Sequence, residues 1–219
     1  MKNSHYLLVF LILLSCKKEQ RSVSVIPHAN SSQAIQDGLS EELSSGKLPK
    51  AKVYKVKKIG DTLDVFNGVY VFYNKGMTNT SGRNLAKDGY NIGLKWQCVE
   101  FVKRYYYDHL NHKMPNSYGH AKEFFNSSLN DNQKNKDRNL VQFTNGSHLK
   151  PEVNDLIIFD ANVFNPYGHV AIISKVNKNS IEVVQQNVGK NSRETFKLIN
   201  KNNKWTVKGN GVLGWLRKS

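Results

Sequence analysis

The sequence predicts an α+β domain, with helices from its N-terminal half packed on an antiparallel β-sheet from its C-terminal half. Three observations lead there. Apolar residues between Gln97 and Asn111 recur at helical spacing, and a second helical pattern runs from Ser117 to Leu129. From Asp155 onward the chain becomes a succession of short β-branched runs separated by turn residues. An apolar content of 39% over 219 residues supports one ordinary core, so a single globular domain with an N-terminal extension is expected.

The extension opens with Lys2 and the continuous apolar run Tyr6 to Leu14. That run is shorter than the roughly 20 residues a spanning helix needs and reads as the hydrophobic part of an export signal. Leu13-Leu14-Ser15-Cys16 resembles the lipobox of bacterial lipoproteins, and Lys17-Lys18 follows it directly. Residues 1–15 are therefore expected to be a lipoprotein signal peptide, with Cys16 the lipid-bearing residue. The plainer alternative is a secretory peptide that happens to contain a cysteine. The lipid places the protein in the cell envelope, anchored to a bacterial membrane, the outer one if the cell is Gram-negative. Residues 16–50 mix polar and isolated apolar residues without a period and are expected to be a flexible tether spanning about 30 Å. Residues 51–219 form the domain.

With Cys16 committed to lipid, Cys98 is the remaining thiol and no internal disulfide can form. A lone cysteine in an exported protein draws attention to its reactivity. The 32 basic and 17 acidic residues give a net charge of +15, which favours anionic surroundings such as cell-wall polymer. The lysines are scattered, with no compact basic block, so no nucleic-acid partner is expected.

Element by element, Val69-Tyr70-Val71-Phe72-Tyr73 reads as a strand closed by Asn74-Lys75-Gly76. Ser81 to Asn84 reads as a loop, and Asp88-Gly89 as a turn. In the helix from Gln97 to Asn111, Cys98, Val102, Tyr105, Tyr106 and His109 share a face, and Glu100 faces Arg104 at i, i+4. The second helix would carry Ala121, Phe124, Phe125 and Leu129 on one side. Strands follow at Asp155–Asp160, Gly168–Val176 and Ser180–Gln186, the last two joined by Asn177-Lys178-Asn179. Further strands are expected at Thr195–Ile199, Lys204–Val207 and Val212–Leu216.

Cys98 falls in the first turn of its helix, where the free N–H groups and partial positive charge favour a thiolate. No good capping residue precedes it, since Lys95-Trp96-Gln97 stand there. A lone cysteine on a helix is also readily a small core residue. His169 opens an apolar strand after Tyr167-Gly168, at a sheet end, where a hydrogen-bonded structural histidine is the plainer reading. His109 and His112 lack the partner cluster a metal needs, so neither a metal nor another cofactor is expected. If the 177–179 connection is three residues long, His169 and Gln185 share a sheet face, opposite or one diagonal apart, and Asn187 shares it too. Either amide could orient the imidazole, as a nucleophile's base requires.

Gly93 through Gln97-Cys98-Val99-Glu100-Phe101 to Arg104, then Pro151 with Asp155 to Phe159, Gly168 to Ile173, Gln185-Gln186-Asn187 and Leu213-Gly214-Trp215 resemble the cysteine, histidine-dependent amidohydrolase/peptidase (CHAP) family. The likeness covers Gly82 to Leu216 and extends to the amidase domain of glutathionylspermidine synthetase/amidase and of trypanothione synthetase. It implies a papain-like fold, Cys98 as nucleophile, His169 as base and Gln185 as third member, where the amidase pattern has glutamate. Gln97 and Asn187 are candidates for orienting the site or supporting the oxyanion. The function so implied is hydrolysis of an amide or peptide bond through a thioester, and the export signal and net positive charge point it to cell-envelope peptidoglycan peptides. The alternatives are a glutathionylspermidine-like substrate and, in another class, a binding module without turnover.

Overall fold

The computed structural model describes residues 56–219. The expected signal peptide, lipidation at Cys16 and tether therefore lie outside the described residues. Twelve strands and one α-helix make up the described chain: β1 (Thr62–Phe66), β2 (Val69–Phe72), β3 (Arg83–Leu85), β4 (Asn91–Leu94), α1 (Cys98–Asp108), β5 (Gln133–Asn135), β6 (Leu140–Thr144), β7 (Leu156–Phe159), β8 (His169–Val176), β9 (Ser180–Val184), β10 (Arg193–Lys201), β11 (Lys204–Lys208) and β12 (Val212–Arg217).

This corrects the expected α+β, papain-like layout of N-terminal helices on a C-terminal sheet, because the described chain is mostly β. Eight strands form one antiparallel sheet in the order β11-β10-β9-β8-β7-β12-β6-β5, and β1–β2 and β3–β4 are separate hairpins. The helix expected at Ser117–Leu129 is a single 3-10 turn, Ala121–Phe124. The carbonyls around it are taken by other parts of the chain. Arg138 donates through Nη1 to Asn116 O (2.5 Å) and Tyr118 O (3.1 Å) and through Nη2 to Glu123 O (3.3 Å). The Gln142 amide pairs with both main-chain polar groups of Asn126. Apolar residues at helical spacing thus sit in an irregular segment whose backbone partners are remote in sequence.

The large sheet is buried on both faces, which explains the unbroken apolar run of Leu156-Ile157-Ile158. One face presents Leu156, Ile158, Val170, Ile172, Val184 and Leu216 to Phe101, Val102, Tyr105 and Tyr106 of α1. The other encloses Phe143, Ile157, Ala171, Ile173, Val183 and Trp215 in a second core. The sheet curls around that second core until β11 reaches the chain just beyond β6. Trp205 N–H donates to Ser147 O (2.7 Å), and Gly146 N–H donates to Trp205 O (2.8 Å). Curling removes a free edge and hides the second face.

Candidate active site

Helix α1 starts at Cys98 with an extended Gln97 before it and no side-chain cap. Its first-turn amides are therefore free to face something other than a capping oxygen. The start is fixed from behind instead. Gln97 O accepts from Phe101 N–H (3.1 Å) and from Gln186 Nε2 (3.0 Å). Gly93, at φ 141°, lets β4 pass so near the helix that an added Cβ would lie 3.1 Å from Glu100 Cα.

The Cys98 side chain is 9% exposed. Cys98 packs in one core with Val170 of β8, and the backbone N–H groups of Val170, Val99 and Cys98 itself favour its thiolate. The thiol of α1 thus abuts β8 one residue after His169. Burial pushes the Cys98 thiol up, and the three amides pull against it. The thiolate-favouring helix start read from sequence is present, but burial outweighs it.

His169 is the first residue of β8 and pairs with Phe159 of β7. Gly168, at φ 71°, sets its entry: a Cβ there would lie 2.5 Å from Phe159 O and 2.8 Å from Lys122 Cβ. His169 Nε2 stands 3.0 Å from Gln185 Oε1. An amide oxygen only accepts, so Nε2 carries the hydrogen and Nδ1 keeps its lone pair. Burial pushes the imidazole down, opposed by the Gln185 hydrogen bond and the Glu194 carboxylate. Both neutral forms, thiol and imidazole, are thereby favoured at rest.

Asn187 lies outside β9 with a left-handed backbone, φ 68°. Its side chain turns to Gln97 and not to His169. Asn187 Nδ2 donates to Gln97 Oε1 (2.6 Å), and Asn187 Oδ1 accepts from Asn74 Nδ2 (3.0 Å). Gln97 Nε2 in turn donates to Met77 O (2.9 Å) and Asn79 O (2.7 Å), so both its N–H groups bind the 74–79 loop. In this arrangement Gln97 and Asn187 tie that loop to the helix start.

Three buried polar residues that sequence reading did not assign hold the site together. Gln186 is fully buried, accepts from Phe72 N–H (2.7 Å) and donates to Glu100 Oε2 (3.0 Å) as well as to Gln97 O. Glu100 is fully buried and also receives Arg104 Nε (2.7 Å) and Asn84 Nδ2 (2.8 Å). Asn74, 1% exposed, joins Gly76, Asn79 and Asn187. Glu100 and Arg104 were paired from their spacing, but their burial had no sequence signal. His109 faces Asn67, and His112 faces Arg138 O (2.9 Å), which accounts for both outside the site. Among the described residues no group of three or more His, Cys, Asp or Glu side chains is placed to hold a metal.

The layout defines a class of site: one buried thiol at a helix start, packed on a sheet strand that opens with an amide-oriented histidine. Residues 89–187 match the CHAP domain family, and the chain carries a CHAP domain over that stretch. Among its relatives, the bifunctional glutathionylspermidine synthetase/amidase of Escherichia coli (strain K12) is 32% identical over 152 residues, 61% of this chain and 23% of the relative. Trypanothione synthetase of Crithidia fasciculata is 27% identical over 132 residues, 58% of this chain and 20% of the relative. The chain thus spans under a quarter of the length of these relatives. The crystal structure of Ly7917 superposes over 32% of this chain and 29% of its own, at 20% identity and a TM-score of 0.21, a likeness too slight to bear on the fold.

Proposed function

We propose that this protein hydrolyses an amide or peptide bond, with Cys98 as nucleophile, His169 as general base and Gln185 orienting the base. The observation that carries the reading is the packing of Cys98 in one core with Val170 of β8, the residue after a histidine whose Nε2 is held by Gln185 at 3.0 Å. The relatives' printed name, synthetase/amidase, supports amide chemistry.

The reaction runs through a thioester. The Cys98 proton passes to His169 Nδ1 as sulfur attacks the carbonyl carbon, which suits a pair that rests neutral. The developing oxyanion is stabilised by main-chain N–H groups at the start of α1. The imidazolium then gives its proton to the departing amine as the C–N bond breaks. Water, deprotonated by His169, attacks the thioester, releases the carboxylate and restores the thiol. The chemistry requires no cofactor.

The substrate we propose is a peptide of cell-envelope peptidoglycan, with the protein lipid-anchored through Cys16 and the tether giving the domain reach. The net charge of +15 supports an anionic polymer. A second reading, an amide of the glutathionylspermidine kind, is favoured by the names of the relatives. A module without turnover is the third. Incubating the full-length protein and its Cys98→Ala variant with purified peptidoglycan and with glutathionylspermidine separates them. Cys98-dependent release of amines from peptidoglycan is expected. Release from glutathionylspermidine alone would select the second reading, and no Cys98-dependent product from either would leave the third.

A further inference from the structure

Gln185 departs from the glutamate of the amidase pattern, yet its amide is not the end of the chain of contacts. Gln185 is 4% exposed, and while Oε1 meets His169 Nε2, its Nε2 donates to Glu194 Oε2 at 3.1 Å. Glu194 lies on β10, opposite Val183 of β9, and beyond the residues that match the CHAP domain. A carboxylate only accepts, so Glu194 dictates which way the Gln185 amide faces. Its NH₂ must point to Glu194 and its oxygen to His169.

We propose that Glu194 is a positioning residue for the reaction, its carboxylate acting through the Gln185 amide to hold His169 as the Nε2–H tautomer and to supply the negative charge that Gln185 lacks. The proposal rests on the Cys98–His169 reading above. Hydrogen bonds in series polarise one another, so an amide between carboxylate and imidazole transmits part of the charge that a glutamate would present directly.

The surroundings of His169 leave that task to Glu194. Cys98 approaches from α1, and Phe159, followed by Asp160, from β7. Lys122 and His120 lie on the side of the 3-10 turn, where Lys122 N–H donates to Tyr167 O (3.1 Å) and the His120 ring is 4.7 Å from Tyr167. On β10, Arg193 is committed to Asp64 (2.6 Å) and Glu182 (3.0 Å). Among the described charges, Glu194 is the one that acts on the imidazole. A cavity of about 310 Å³ lined by Gln185, Val188, Asn191, Arg193 and Glu194 opens beside the relay, so salt reaches the carboxylate.

The test reads His169 itself. In a Cys98→Ala background, which removes the thiol's own titration, ¹⁵N resonances of the His169 ring are followed against pH with and without Glu194→Gln. Loss of the charge should lower the imidazole pKa by about 0.5 to 1 unit and mix the neutral tautomers. Adding Gln185→Glu to Glu194→Gln puts a carboxylate directly on Nε2 and should restore the pKa to the wild-type value or above. Raising ionic strength from about 0.01 M to about 1 M should lower the pKa when Glu194 is present and leave the Glu194→Gln form nearly unmoved. An imidazole with the same pKa and tautomer in both backgrounds would overturn the relay. Failure of the underlying reading looks different: Cys98 alkylated by iodoacetamide at one rate across pH in wild type and His169→Ala would overturn the Cys98–His169 pair, and the role of Glu194 with it.

Discussion

Replacing Gln186 by leucine tests how the start of α1 is held. Leucine nearly matches the volume but none of the hydrogen bonds. Gln186 is fully buried, and its loss strands the Phe72 N–H that donates to Oε1 at 2.7 Å. It also removes one donor each from the Glu100 carboxylate and Gln97 O, both at 3.0 Å. A buried unsatisfied N–H costs about 1–3 kcal/mol, and a hydrogen bond to a charged group contributes about 1.5–3 kcal/mol. Gln97 O keeps Phe101 N–H, and Glu100 keeps Arg104 and Asn84. Leucine recovers about 1 kcal/mol by burial. The expected net loss is therefore about 2–4 kcal/mol, read by urea unfolding, or about 5–15 °C in Tm for a domain of this size. Gln186→Glu sharpens the test, since it keeps the acceptor for Phe72 but turns a carboxylate towards Glu100. It should be less stable than Gln186→Leu at pH 8 and gain on it as pH falls and the coupled pair takes up a proton. A Gln186→Leu protein within about 0.5 kcal/mol of wild type would show that the bridge does not hold the helix start.

Gln185→Ala should lower turnover about 10²-fold or more by freeing the imidazole, while Asn187→Ala, whose side chain meets Gln97 and Asn74, should act mainly on stability; the reverse pattern in kcat and urea midpoints would exchange their roles. Arg217→Met leaves the 1% exposed Asp155 without its two-pronged partner and should destabilise by about 3 kcal/mol at pH 8. Burial already raises the Asp155 carboxyl from 3.8 to about 6, against the pull of Arg217. Its protonated form therefore contributes stability that is complete below 3.8 and lost as pH rises through 6. Without Arg217 the Asp155 carboxyl moves further up, so the Arg217→Met deficit should shrink as pH falls from 8 towards 6 and level off below 6, and a pH-independent deficit would refute the assignment. Intact-mass analysis of protein made in a bacterial host should show a chain beginning at an acylated Cys16, and an unmodified N-terminus would refute the anchor.

Much of the site's local geometry was legible before any tertiary contact was known. Side chains alternate along a strand with a period of two, and the connection 177–179 is three residues. A three-residue turn there puts His169 and Gln185 on one face; in the structure Val176 stands opposite Ile181, and an irregularity between Ile173 and Lys175 restores that parity, so that their atoms lie 3.0 Å apart. The helix at Cys98 was legible from the spacing of Val102, Tyr105 and Tyr106, and the strands after Asp155 from their β-branched runs. These signals are local, and local periodicity survives in one dimension.

What tertiary structure decided is whatever depends on partners far along the chain. Apart from β2, read from its β-branched and aromatic run, the strands from β1 to β6 are three to five residues long, with no sustained alternation, and exist because a paired strand supplies their hydrogen bonds. The helix expected at Ser117–Leu129 gave way because Arg138 and Gln142 bind the backbone it would have used. Asn187 was left equal to Gln185 as an orienter of His169, and a left-handed backbone at φ 68° turned it towards Gln97 instead. Glu194 carried no motif. It reaches Gln185 because the β9–β10 register sets it opposite Val183, and strand register between separate segments is fixed by the packing of both sheet faces, which no local stretch of sequence encodes.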